Sequence, residues 1–228
     1  MLLRKLILGV LWQWALQFAL LFLPAGTLHW WQGWVLFGVI VVATVATCVD
    51  LYRHHPAILA ERLKPVLQKG QPLVDKIVLP IILVVFCGWL IFIPLDVFRF
   101  GLLLGAPPVA LAWLGLALFN VGWWIVWRTM KANAFAAPVI RHQAERKHQV
   151  IDTGVYAVVR HPMYAGALLF FFGQALWLGS IAATLAALIP AVFLAIRSTI
   201  EERFLRRELP GYEDYTRRVR YRLIPGIW

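Results

Sequence analysis

Charge is scarce in this chain, and what there is leans one way. Only 14% of the 228 residues are charged, with 22 lysines and arginines against 11 acidic residues. A hydrophobic share of 61%, arriving in long uncharged blocks, excludes an ordinary soluble domain and reads as one integral membrane domain. Cysteine is almost absent. Cys48 and Cys87 are the two in the chain, each inside an apolar block, which excludes a disulfide framework. The common cofactor motifs are missing as well: there is no G-x-G-x-x-G, no P-loop and no G-x-S-x-G. A cofactor with a nucleotide part therefore needs another kind of site. His142, His148 and His161 lack the close spacing of a zinc site on one helix, and the adjacent His54 and His55 point apart on a helix or a strand. No metal is expected, and no repeat or low-complexity segment is visible.

What is present is a series of apolar blocks divided by basic connections. The net charge of +11 is not gathered on one soluble face, which argues against a nucleic-acid partner. Blocks run from Leu6 to Pro24, Trp30 to Val49, Ile77 to Leu95 and Ala106 to Trp127. Asn120, inside the fourth, reads as a hydrogen bonder between packed helices. Two long polar connections, 50–76 and 128–160, hold most of the loop arginines and lysines. In the first, Ile58, Leu59, Leu63 and Leu67 recur at roughly helical spacing, as in an amphipathic helix lying on a membrane surface. Arg4 and Lys5 precede the first block, which reads as a retained span, and the stretch from Glu201 to Trp228 is rich in arginine. Basic residues in alternate connections predict an all-α, polytopic membrane protein of about six spans with both termini cytoplasmic.

The last two spans are expected to form a helical hairpin. From Met163 to Ile196 there is no charged residue, and a single helix of that length measures ~51 Å against a hydrocarbon core of ~30 Å. A turn at Gly179-Ser180 divides it into two arms of ~24 Å. The hairpin returns Arg197 and Glu201 to the side of His161 and Tyr164. Pro162 suits the first position of a helix, whose free N–H groups, beside Arg160 and His161, suit a carboxylate or phosphate. Gly154 permits a turn before Tyr156. Tyr156 and Tyr164 read either as interfacial anchors or as aromatic faces for a cation or purine. Arg197 and Glu201, four apart on one helical face, form either a surface ion pair or part of a site. Such a collection suits a zwitterion that also bears a cationic centre, as S-adenosylmethionine does.

The pattern H-x-V-x-x-x-G-x-Y-x-x-x-R-H-P-x-Y-x-G from His148 to Gly166, then R-x-x-x-E-E from Arg197, resembles the isoprenylcysteine carboxyl methyltransferase family. Phospholipid N-methyltransferases share its general form. The closing Y-x-D-Y-x-x-R-V-x-Y-R-L-I-P-G, from Tyr212 to Gly226, is similar to many bacterial members, which implies a bacterial inner-membrane location. The resemblance implies S-adenosyl-L-methionine as cofactor, with contacts at His148, Gln149, Val150, Ile151, Tyr156, His161, Pro162, Met163, Tyr164, Glu201 and Glu202. It also implies an acceptor contact at Arg197, entered here as the catalytic residue. Residues 128–228 then form the cofactor-binding region, and the four spans of residues 1–127 shape the acceptor side. A donor entering from the cytoplasm and a lipophilic acceptor entering from the bilayer follow, the acceptor an isoprenylcysteine carboxylate, a phospholipid amine or a small thiol. A sterol-type membrane reductase and a non-enzymatic membrane protein are the rival readings. Such reductases typically place Asn where Pro162-Met163 stands, so Pro162 favours the methyltransferase.

Overall fold

The computed structural model describes residues 2–103, 105–141, 143 and 146–228; His142, weighed above as a ligand, lies outside them. Among the described residues there are helices and no strands: α1 (Leu2–Ala25), α2 (Trp31–His54), α3 (Pro56–Arg62), α4 (Leu73–Leu95), α5 (Val109–Ala132), α6 (Pro162–Leu178), α7 (Ile181–Ala186), α8 (Leu188–Glu208) and α9 (Tyr212–Arg218). A turn of π-helix, Asp96–Phe100, continues α4, and α7 and α8 together make one long arm. Five helical stretches are long and apolar enough to cross a membrane. The sixth expected span is α6, which has 17 residues and a length of about 25 Å. Large apolar side chains such as Leu8, Trp12, Leu23, Val42, Val84 and Val109 point outward, as lipid contact requires and an aqueous surface of this extent forbids.

The hairpin forms where the sequence places it. Gly179 ends α6 in the left-handed conformation (φ 97°), which glycine adopts without a Cβ penalty. Ser180 caps the next helix, its hydroxyl oxygen accepting from Ala183 N–H at 2.8 Å while its O–H donates to Asp96 at 2.6 Å. The tightest helix contact is between α5 and α6, and glycine makes it. A Cβ on Gly122 would lie 2.5 Å from the Gly166 carbonyl oxygen, and one on Gly173 would lie 2.5 Å from that of Gly115. Backbones approach so closely only where small residues face each other.

Elsewhere tryptophans cross-link the helices. The indole N–H of Trp89 donates to Ala183 O, that of Trp177 to Gln32 O, that of Trp123 to Thr47 and that of Trp127 to Asp50, at 2.8–3.1 Å. In lipid an indole N–H without an acceptor is costly, so these bonds select which helices meet. The main core gathers Leu21, Leu36, Leu90, Ile93, Phe119 and Trp177 from five of the long helices. A second cluster, of Leu6, Leu51, Ile58, Leu59 and Met130, lies where α1, α2, α3 and α5 converge.

Two sequence expectations change. The surface helix in 50–76 is only α3, seven residues long. Its Ile58 and Leu59 are buried in the second cluster, while Leu67 stands exposed beyond its end. Pro65 accounts for the early stop, because the residue before a proline is driven out of the helical region. Asn120 does not bridge helices. It faces outward and donates to Leu116 O in its own helix at 2.8 Å, which satisfies the amide in an apolar surrounding.

Candidate active site

The start of α6 and the end of α8 meet at one end of the bundle. Pro162 stands at the first position of α6, after His161 (φ −122°, ψ 64°). The Tyr164 hydroxyl donates to Glu201 Oε2 at 2.7 Å, and His161 Nδ1 lies 3.8 Å from the same oxygen. The His161 and Tyr164 rings stack with centroids 5.5 Å apart and an 8° tilt. These residues open onto a cavity of about 280 Å³, near the lower end of the ~300–1,000 Å³ typical of small-molecule sites. Its wall includes His148, Gln149, Val150, Ile151, Tyr156, His161, Pro162, Met163, Tyr164, Arg197 and Glu201.

A strap without regular structure, residues 133–141, closes one side of the cavity. Side chains from four other segments hold it. Gln143 donates to Phe135 O, Arg62 to Ala136 O and Arg197 to Pro138 O, at 2.7–3.1 Å, and the Ile140 N–H donates to Asp75 at 3.0 Å. Phe135 also lies against the His148 ring, 4.5 Å between centroids. Beyond the short turns at Asn133–Ala137, the strap's backbone groups are satisfied by side chains that reach it from distant segments.

Asp75 is the hub of that arrangement. It is fully buried in the first turn of α4 and accepts from Gln71, Ile140 N–H and Arg197 Nε. The alternatives for Arg197 were a bond to Glu201 or an acceptor contact. Its carboxylate partner is instead Asp75, at 3.0 Å. Its Cζ lies 5.8 Å from the Tyr164 ring centre, and its Nη1 has no acceptor among the described residues. The signal for Asp75 was available: an acid at the threshold of an apolar span is costly unless it has a task.

Glu202 differs from its neighbour. Its carboxylate, 2% exposed, accepts from Arg160 Nε at 2.6 Å and Arg222 Nε at 3.0 Å, with His161 Nε2 at 3.3 Å. It does not line the cavity. The expected cofactor contact is thus a structural tie, and the physical reason lies in the last segment of the chain. Arg160 also donates to Val219 O and Arg220 O, and the backbone N–H groups of Arg160 and His161 donate to Tyr221 O and Arg222 O. Glu202 neutralises the two arginines that bind these segments together.

Tyr212 and Tyr215 of α9 complete the wall, and the Tyr215 hydroxyl donates to Tyr156 O at 2.8 Å. Burial raises the Tyr156 hydroxyl well above the ordinary tyrosine range, against the opposing bond from Asn133. Tyr156 is therefore a neutral donor and an aromatic face, with no role as an anion. Below the strap, buried Glu61 accepts from Arg141 at 2.9 Å and Lys64 at 2.6 Å. Burial pushes its carboxyl up, yet those cations hold it below the usual carboxylate range. No group of three metal-ligating side chains occurs among the described residues.

The fold is that of a polytopic helical membrane protein with a polar, strap-covered cavity at one end of the bundle. Residues 110–210 match the family model described as phospholipid methyltransferase. The protein-S-isoprenylcysteine O-methyltransferase of Schizosaccharomyces pombe is 31% identical over 92 residues, covering 40% of this chain and 39% of that protein. A probable protein-S-isoprenylcysteine O-methyltransferase of Oryza sativa subsp. indica is 37% identical over 83 residues, 36% of this chain and 44% of its own length. A nickel-cobalt-cadmium resistance protein of Alcaligenes xylosoxydans xylosoxydans is 28% identical over 110 residues, 47% of this chain and 50% of its own length. The matched stretch spans half or less of each relative's length, and the family resemblance carried by the motif residues stands at that level.

Proposed function

We propose that this protein is an S-adenosylmethionine-dependent membrane methyltransferase acting on a lipophilic acceptor, with an isoprenylcysteine-type carboxylate as the first candidate. The observation that carries this reading is Glu201, a carboxylate in the cavity wall that accepts from Tyr164 and keeps partial exposure toward the cavity. A donor with an ammonium, a sulfonium and a purine fits a wall offering that carboxylate, the stacked His161–Tyr164 pair and the Phe135–His148 pair. Residues 128–228 supply this donor side, and the first four spans border the acceptor side.

When bound, the donor would supply an electrophilic methyl group to an acceptor atom aligned with its carbon–sulfur bond, with S-adenosylhomocysteine as the leaving group. Charge disperses in that step, so positioning and exclusion of water carry the catalytic effort. The strap excludes water from above. Tyr164 and Tyr156 orient through their hydroxyl groups, and Arg197, braced by Asp75, turns its remaining N–H groups toward an anionic acceptor. A carboxylate or thiolate acceptor needs no base, which agrees with a wall where Glu201 is already engaged by Tyr164. On this reading the polar end of the bundle is cytoplasmic, admitting the donor, while the acceptor arrives from the bilayer.

The test is equilibrium titration of the purified protein with S-adenosylhomocysteine and with NADPH. Binding of the first and not the second is expected, whereas the reverse points to a reductase and sinks the proposal. Glu201→Gln keeps the shape and removes the charge. A charged hydrogen bond is worth ~1.5–3 kcal/mol, so S-adenosylhomocysteine affinity should fall roughly tenfold to a hundredfold. Unchanged affinity in the folded variant removes Glu201 from the donor site.

A further inference from the structure

Among the described residues, Arg62 is the one from the first half of the chain in the cavity wall; the other lining residues begin at Asn133. It ends α3 and reaches across to the strap, where its Nη1 donates to Ala136 O at 3.1 Å and lies 3.7 Å from Met163 Sδ. Neither contact carries charge. The other arginines around the cavity are matched with carboxylates: Arg160 with Glu202 at 2.6 Å, Arg197 with Asp75 at 3.0 Å, Arg141 with Glu61 at 2.9 Å. Arg62 has no such partner among the described residues. The nearby Arg197 adds to the cost of its charge, and burial adds more. Arg62 is half-buried, and a partly desolvated guanidinium without a carboxylate partner is a costly feature for a wall. A neutral amide could donate to Ala136 O as well, so that bond does not require the charge.

We propose that Arg62 is a further anion-binding residue of the cavity, besides Arg197, taking a carboxylate or phosphate group of a bound molecule. A planar guanidinium presents two parallel N–H groups to such an anion, a geometry a lysine does not copy. Its position fits two carriers of that group. Met163, within reach of Arg62, also packs against the second apolar cluster with Ile58 and Leu59 of α3. An anion at the end of an apolar chain would thus place its charge on Arg62 and its chain on that cluster. The amino-acid carboxylate of a methyl donor is the other carrier. The inference rests on the methyltransferase reading only for the second of these.

The experiment uses the whole protein in dodecylmaltoside, a detergent without anionic groups, and two probe pairs: S-adenosylhomocysteine against its decarboxylated counterpart, and dodecyl phosphate against dodecanol. The wild type should prefer the anionic member of at least one pair. Arg62→Gln should reduce that member's affinity about tenfold to a hundredfold and leave the uncharged member unchanged. Loss in the first pair assigns Arg62 to the donor carboxylate, and loss in the second assigns it to a lipid-borne anion. No anionic preference in either pair, or a preference that survives in folded Arg62→Gln, overturns the proposal. If that variant fails to fold, Arg62→Lys decides: it keeps the charge but loses the planar fork, so the preference should fall, and a preference unchanged from the wild type overturns the proposal. A wild type that binds neither nucleoside refutes the methyl-donor reading, and the dodecyl pair still tests Arg62.

Discussion

At the scale of single residues, neighbours in sequence have opposite tasks. Glu201 faces the cavity with Tyr164 on one oxygen, while Glu202 turns into Arg160, Arg222 and the His161 ring and disappears from the wall. Successive helical positions are separated by about 100°, so two adjacent carboxylates cannot serve one ligand from one helix face. Arg197 shows how a partner from a distant segment settles a role. Asp75, more than one hundred residues earlier, takes its Nε and also fixes Ile140 of the strap. Asp75→Asn keeps the size but replaces a charged acceptor, leaving Arg197 uncompensated. Breaking a buried pair in this way typically costs about 3–5 kcal/mol. A clear drop in the melting temperature by tryptophan fluorescence is expected, together with weaker S-adenosylhomocysteine binding as the strap loosens. Melting unchanged from the wild type would remove Asp75 from the role of hub.

At the scale of elements, the bundle depends on how closely α5 and α6 approach. The four glycines fall seven residues apart on each helix, Gly115 and Gly122 against Gly166 and Gly173. Gly122→Ala would place a Cβ 2.5 Å from a carbonyl oxygen and 2.7 Å from Phe170 N. Backbone must move to admit it, at a cost of about 1–3 kcal/mol. Gly88→Ala is the control, because nothing lies within 4 Å of a Cβ there and alanine is the better helix former. The first substitution should lower the melting temperature and the second should hold or raise it. Equal effects would show that the α5–α6 contact is not close-packed in the membrane. Since α6 carries Pro162, Met163 and Tyr164, loosening this contact should also weaken ligand binding at the cavity.

At the scale of the whole molecule, basic residues and the cavity share one end of the bundle. The start of α1, the ends of α2 and α5 and the start of α6 meet there, while Asp96, Ser180 and the Trp31–Trp177 pair mark the other. The positive-inside rule predicts that the basic end is cytoplasmic. Single cysteines introduced at positions 69–70 and 101–103, with Cys48 and Cys87 replaced by alanine, test this by labelling with an impermeant maleimide. The second set should label from outside and the first only after the membrane is opened. External labelling of the first set reverses the orientation and with it the side from which a donor enters.

The hairpin and the meeting of His161 and Tyr164 with Glu201 were legible in the chain itself. Each rests on local rules: an uncharged run too long for one crossing, a Gly-Ser at its centre, and a proline able to start a helix. Part of the cavity wall lies in one contiguous pattern of side chains, His148 to Tyr164, while the strap and the α9 tyrosines come from elsewhere. The rest depended on distance in sequence. Which carboxylate neutralises Arg197, which arginine stays unneutralised, and which of two glutamates faces the cavity are settled by side chains arriving from α3, α4 and the last segment of the chain. A buried charge is stabilised by whichever opposite charge reaches it first within a few ångströms, and the sequence carries no measure of that distance until the helices are packed. Apolar periodicity by itself determined that this chain is a helical membrane bundle. The tertiary structure decided which of its few charges are free to meet a ligand, because in so apolar a protein every charge must be matched and only the packing shows which are already taken.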